Sequence, residues 1–180
     1  LTNEYLVCTP NTEYVPSNLS FILIEAILEK TTGQPYPSFV AQHFFNPLSL
    51  SHSNYSQSLD PIKIAKPYIK QKPQSFIKAR DIGFLGLNSS VSDMAKFGSA
   101  ILNQGKLGNK KILSSNQIKQ LLTPQNKNLP LNFDLDVGYM FHYMDGMYDP
   151  SLHGVRNGRT IHQRAIFRFS KDYKLGVVMM

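Results

Sequence analysis

The segment Pro10 to Gly33, PNTEYVPSNLSFILIEAILEKTTG, runs a polar turn built around Ser17 and Asn18 straight into an apolar stretch. Phe21, Ile24, Ile27 and Leu28 recur at helical spacing, Glu25, Glu29 and Lys30 stand between them, and Gly33 occupies the stop position. The pattern predicts a helix from Asn18 to about Thr31, with its apolar side buried. A turn backed by such a rigid element can hold a side-chain amide at the mouth of a pocket.

Further elements follow from the same kind of reading. A second helix is expected over Ser38 to Phe45, capped by Ser38 and ended before Pro47. Ser49 to Lys78 reads as an irregular polar surface excursion, and connections of this length are often functional. Ser90 and Asp93 form a Ser-x-x-Asp cap for a helix whose buried stripe is Val91, Met94, Phe97, Ile101 and Leu102, with Gly105 as the stop. Ser114 caps another helix that buries Ile118, Leu121 and Leu122 ahead of Pro124. From Leu135 the period changes. Val137, Tyr139, Phe141 and Tyr143 alternate along a strand, Asp145-Gly146 supplies a turn, and Arg164–Phe169 and Lys174–Met180 form a hairpin across Ser170 to Tyr173. A helical subdomain over residues 1–134 followed by antiparallel strands over 135–180 makes an α+β architecture.

The chain has 180 residues, 42% of them hydrophobic, which suffices for one core, and no apolar run reaches the roughly 18 residues that span a bilayer. Cys8 is the single cysteine, so no internal disulfide forms, and no paired Cys/His spacing points to zinc. His43, His52, His142 and His162 have no metal-ligand spacing and read as structural. The net charge of +7 gathers in Lys63 to Arg80 and in Arg156 to Lys174. Without a helix-turn-helix, zinc-finger or RNA-recognition pattern, this charge reads as a solvated basic face and not as a nucleic-acid site. The chain opens at Leu1 and stops at Met180 inside the apolar run Leu175–Met180. Both ends read as cut, the expectation being about the middle half of a larger domain, and the unfinished sheet edge invites pairing with the rest of that domain or with another chain.

Pro10, Thr12, Tyr14, Ser17, Asn18, Phe21, Leu23, Ile27, Leu28, Glu29, Thr32 and Gly33 fall in the order P-G-x-x-F-x-Y-S-N-x-x-Y followed by a helix ending E-x-x-T-G. Asn46-Pro47-Leu48-Ser49-Leu50 looks like a P-L-G-M turn. Leu85 to Phe97 looks like G-G-L-x-S-T-x-x-D-x-A-x-F, and Gly105-Lys106-Leu107 through Ser114 resembles the loop that follows. His153-Gly154 before the last strands looks like the H-x-G or K-T-G motif. In this order the segments resemble the serine β-lactamase and penicillin-binding-protein superfamily, nearest its class C β-lactamase, D-alanyl-D-alanine carboxypeptidase and esterase branch.

That resemblance implies a serine hydrolase acting on an amide or ester, through an acyl-serine, on β-lactams, D-alanyl peptides or small esters. It also implies no metal, no organic cofactor, and a place in the bacterial cell envelope, periplasmic or secreted. The implied catalytic positions are Asn18, His153 and Tyr14, and the implied substrate-binding positions are Gly154 and Arg156, with Arg159 as a second basic candidate. Asn18 reads equally as a cap of its own helix, and Tyr14 reads first as the aromatic that packs two places ahead of the family's tyrosine, able to replace that tyrosine only through a backbone bulge.

Four positions depart from the family pattern. Pro16 stands where the family has a proton-exchanging tyrosine, a kind of help worth about a hundredfold to ten-thousandfold in rate. Val155, Glu25 and Ser49 stand where it has glycine. The family's nucleophile motif, Ser-x-x-Lys, lies upstream of the matched region; the literal match Ser75-Phe76-Ile77-Lys78 falls in a polar loop and reads as coincidence. The enzyme reading therefore places the nucleophile outside this chain. Its rival is a catalytically inactive relative that binds a peptide or wall fragment, and a third reading is a structural piece.

Overall fold

A computed structural model describes residues 5–55, 64–77, 82–130, 136–139, 141–143 and 154–180. Helix α1 spans Asn18–Thr32 after an extended Ser17, and it ends at Gly33, which takes φ 68° and donates its N–H to Glu29 O at 2.9 Å. Its packing differs from the expectation of a buried helix. Phe21 and Leu28 are half-buried, whereas Ile24 and Ile27 are 58% and 59% exposed. Among the described residues, helix α2 (Tyr36–Val40) and helix α4 (Ile82–Leu85) pack against α1 on the side of Phe21, Glu25 and Glu29, which leaves Ile24 and Ile27 uncovered.

Helix α2 spans Tyr36–Val40, a π-helical turn covers Ala41–Phe45, and α3 covers Asn46–Leu48. This helical run starts before Ser38 and continues through Pro47, contrary to the sequence expectation. Glu29 Oε1 accepts the Tyr36 N–H at 2.7 Å, so a carboxylate from α1 replaces the expected serine cap. The wider π turn shifts the hydrogen bonding just ahead of Pro47, whose missing N–H then falls in the first turn of α3, where none is needed.

Within the polar excursion, β1 (Tyr68–Ile69) and β2 (Lys72–Pro73) form a small hairpin turned through Lys70 and Gln71, both at positive φ. Asn54 and Asn88 exchange backbone hydrogen bonds at 2.9 Å, which ties the start of the excursion to the residues after α4 (Ile82–Leu85), a helix the sequence pattern did not show.

Helix α5 (Val91–Leu102) has the expected cap, with Ser90 Oγ accepting the Asp93 N–H at 3.2 Å. Most of the expected stripe is buried or half-buried, with Ile101 inaccessible and Phe97 and Leu102 packed against the same core, but Val91 is 48% exposed and the buried side also takes in Asp93 and Ala100. The difference comes from packing on two sides: Ile101 joins the cluster beneath the sheet, and Ala100 packs with Leu48 and Leu50. Asp93 seals the second contact. Its carboxylate accepts the His52 N–H at 2.7 Å and the Ser53 hydroxyl at 3.0 Å, and lies 3.4 Å from Lys96 Nζ, which also donates to Ser49 O at 2.7 Å.

A short hairpin, β3 (Lys106–Leu107) and β4 (Lys110–Lys111), leads to α6 (Ser115–Leu121). Ser114 and Gln117 form a reciprocal capping box there, and Ile118 and Leu122 are buried as expected.

The remaining strands form one antiparallel sheet in the order β5 (Asp136–Val137), β6 (His142–Tyr143), β7 (Gly154–Arg159), β8 (Arg164–Ser170) and β9 (Leu175–Met179). The expected β8–β9 hairpin is present. The alternating run from Val137 to Tyr143 is a hairpin and not one strand: Val137 pairs with His142, and Gly138 N–H donates to Phe141 O at 2.8 Å. Exposed Tyr139 lies in the loop and fully buried Phe141 plugs the core, so alternation and turn share the same residues. Asp145-Gly146 lies outside the described residues.

Phe141, Phe167 and Phe169 pack as mutual aromatic contacts on Ile101, Ile118 and Leu122, joining the sheet to the helices. Gly154 belongs to this packing, because a Cβ there would run into the Phe169 ring. Gly154→Val is therefore expected to destabilise the protein by about 1–3 kcal/mol, read as a lower urea midpoint at unchanged slope. Among the described residues no helix is long and apolar enough to cross a membrane.

Candidate functional site

The turn before α1 and strand β7 approach each other at one place. Gly154 pairs with Phe169 and Arg156 with Phe167, so both lie on the sheet face that carries the aromatic core. From that face Arg156 reaches α1, its guanidinium carbon 5.4 Å from the Phe21 ring centroid. Tyr14 stands close enough to feel the same charge. Burial pushes its phenol above the ordinary range, and the Arg156 guanidinium offsets part of that rise. The phenol is therefore protonated at neutral pH.

Asn18 is the first residue of α1, and its side chain is exposed with no hydrogen bond to another described residue. Ser17 holds the cap position but makes no side-chain cap bond. Capping therefore leaves the Asn18 amide uncommitted. Its one amide group offers both donors and an acceptor to whatever enters from this side.

Val155 alternates with its neighbours and pairs with Arg168 on one side and His142 on the other, so it lies on the opposite sheet face, 4% exposed. Its side chain points away from the Arg156 face and does not fill the space beside the strand. Pro16 is exposed in the turn. Ser75 is exposed on non-helical chain, unlike a nucleophile presented on a helical turn with its lysine one turn later. His153, Lys78 and Arg80 lie outside the described residues.

The structure thus brings Tyr14, Arg156 and Phe21 together, sets Asn18 on the same helix as Phe21, and gives Gly154 a packing contact. Arg159 lies on the other face of β7, opposite Arg164. Sequence reasoning missed Phe84 and Gly83 behind the candidate site, and the tie that Glu25 makes to them. Phe84 of α4 stacks on Phe21, with ring centroids 6.4 Å apart at 26°, and Glu25 Oε2 accepts the Gly83 N–H at 2.8 Å. Among the described residues no cluster of three His, Cys, Asp or Glu side chains is placed to hold a metal ion.

A beta-lactamase family model matches residues 1–180. The chain belongs to the beta-lactamase family. It is 25% identical over 179 residues to PbpX of Bacillus subtilis (strain 168), named as a penicillin-binding protein, covering 93% of this chain and 39% of that one. It is 23% identical over 145 residues to an Escherichia coli O157:H7 protein named as a D-alanyl-D-alanine carboxypeptidase, covering 66% of this chain and 33% of that one. The chain therefore spans well under half the length of these curated relatives. Among solved structures, a class C beta-lactamase superposes with a TM-score of 0.77 at 18% identity, over 99% of this chain and 55% of that one. The octameric penicillin-binding protein homologue from Pyrococcus abyssi gives 0.76 at 21% identity, over 96% and 39%. These likenesses establish the mixed α+β fold of the serine β-lactamase and penicillin-binding-protein superfamily.

Proposed function

We propose that this chain is the substrate-orienting part of a serine hydrolase that cleaves an amide or ester bond through an acyl-serine intermediate, with the nucleophile outside residues 1–180. The observation that carries this reading is the meeting of Arg156 with the Tyr14–Phe21 turn beside the uncommitted Asn18 amide. In this reading a serine oxygen attacks the carbonyl, its proton passes to a base, and the amine or alcohol leaves with a proton. Water then releases the acyl group. Asn18 holds the substrate amide and the base, Arg156 meets an anionic group of the substrate, and His153, next to Gly154, positions substrate at the strand edge. Tyr14, protonated, supplies a hydroxyl at the margin of the site.

The substrate class is β-lactams, D-alanyl peptides or short esters, and the cell envelope is the proposed location. The second reading is a relative that binds a peptide or wall fragment without turnover. Pro16 favours it, since a proline ring neither donates nor accepts a proton. Val155 does not, because it faces away.

The test is turnover by the full-length protein of a chromogenic cephalosporin, a D-alanyl-D-alanine peptide and a p-nitrophenyl acyl ester. Hydrolysis of at least one is expected. A raised melting temperature with a wall peptide and no hydrolysis of any of the three transfers support to the binding reading.

A further inference from the structure

Glu25 and Gly83 are 58 residues apart in sequence and shaped for each other. Glu25 Oε2 accepts the Gly83 N–H at 2.8 Å, and a Cβ on Gly83 would lie 2.6 Å from that same oxygen. The carboxylate therefore pins the start of α4 to α1 at a point where only glycine fits without a shift. Pinned there, α4 lays Phe84 on Phe21. Phe21 also meets the Arg156 guanidinium, 5.4 Å from its ring centroid. One continuous line thus runs from Glu25 through Gly83, Phe84 and Phe21 to Arg156, whose charge also reaches Tyr14 in the turn before α1.

We infer that Glu25, Phe84 and Phe21 are positioning residues that hold the Arg156 guanidinium at the substrate-facing turn. An arginine on an exposed strand samples many rotamers, and fixing it costs side-chain entropy each time it engages an anion. A ring beneath the guanidinium supplies attraction and a flat seat that leaves the N–H groups free at the edge. Phe21 alone is a half-buried residue on a helix whose neighbours Ile24 and Ile27 are exposed. Phe84 backs the ring, and the Glu25 carboxylate fixes the helix that carries Phe84. This account also gives Glu25 a reason to stand where the family pattern has glycine. It rests on the proposed role of Arg156 in meeting a substrate anion.

The experiment uses full-length protein carrying Phe84→Leu, Glu25→Ala or Glu25→Gln, with a substrate supplied as its free carboxylate and as its methyl ester. Phe84→Leu and Glu25→Ala are expected to raise KM for the carboxylate about fivefold while leaving kcat and the ester KM unchanged. Glu25→Gln, which keeps the acceptor oxygen, is expected to behave like the parent. Equal losses on acid and ester, or a shift in melting temperature alone, overturn the inference and leave a purely structural contact.

A second readout needs no turnover. The Arg156 side-chain protons, assigned with Phe21→Leu, are expected to show an upfield ring-current displacement that shrinks in Phe84→Leu. Persistence of the full displacement in Phe84→Leu overturns the positioning role. Absence of all turnover in the parent protein, with the displacement behaving as expected, refutes the hydrolase reading and leaves the positioning line intact.

Discussion

Asp93→Ala is expected to destabilise the protein by about 3–4 kcal/mol, read as a lower urea midpoint with an unchanged slope. Asp93 is fully buried, and its carboxylate joins the His52 N–H, the Ser53 hydroxyl and Lys96 in one network that fastens α5 to the turn after α3. Alanine takes the carboxylate acceptor away from the part-buried His52 N–H and Ser53 hydroxyl, opens a void where the buried side chain stood, and removes an anion from the first turn of a helix. Ser53 also bonds Ser89 at 2.8 Å, so the disturbance extends to the segment before the Ser90 cap. A destabilisation below about 1 kcal/mol contradicts this assignment.

The same group sets a pH dependence. Burial alone raises the Asp93 carboxyl, but the His52 N–H, the Ser53 hydroxyl and Lys96 outweigh it and hold the group below its usual range. A carboxyl depressed by folding contributes stability above its unfolded pKa of about 3.9, and that stability is lost as pH falls through the folded value. Asp93→Asn is therefore expected to be less stable than the parent at neutral pH and to approach it as the solution is acidified below about pH 4.

Asn18→Ala in the full-length protein is expected to lower kcat/KM by about a hundredfold to a thousandfold, the cost of removing one preorganised polar group from an acyl-transfer site. Stability is expected to change little, because the side chain is exposed and makes no hydrogen bond to another described residue. Loss of activity that tracks a lowered melting temperature, or activity unaffected by the change, removes Asn18 from the site.

What was legible in the sequence was local. The caps at Ser90 and Ser114 depend on residues three positions away, and both formed as expected. The stop at Gly33 and the β8–β9 hairpin are short-range in the same sense. What was not legible depended on partners distant in the chain. The helix over residues 36–48 begins early because Glu29 caps it from α1, and it passes Pro47 through a π turn. The buried side of α5 is wider than its apolar stripe because the helix contacts two clusters, one of them sealed by a buried aspartate that a periodicity of apolar residues cannot register.

The site divides along the same line. Tyr14 and Asn18 were visible as motif positions, and Arg156 as a basic residue beside the third motif. Phe84, Gly83 and the tie from Glu25 to Gly83 were not, since no local pattern links residues 58 positions apart. The direction of Val155, opposite to that of Arg156, depends on strand register, since a strand sends successive side chains to opposite faces.

The central claim is that this chain orients substrate for a serine that becomes acylated. Intact-mass spectrometry of the full-length protein after brief exposure to a β-lactam, followed by peptide mapping, tests it most directly. The account predicts an increase equal to the mass of the whole β-lactam, carried by a serine of a Ser-x-x-Lys sequence outside residues 1–180 and slower to appear in Asn18→Ala. No adduct with any β-lactam or activated ester, or an adduct on Ser75, contradicts it.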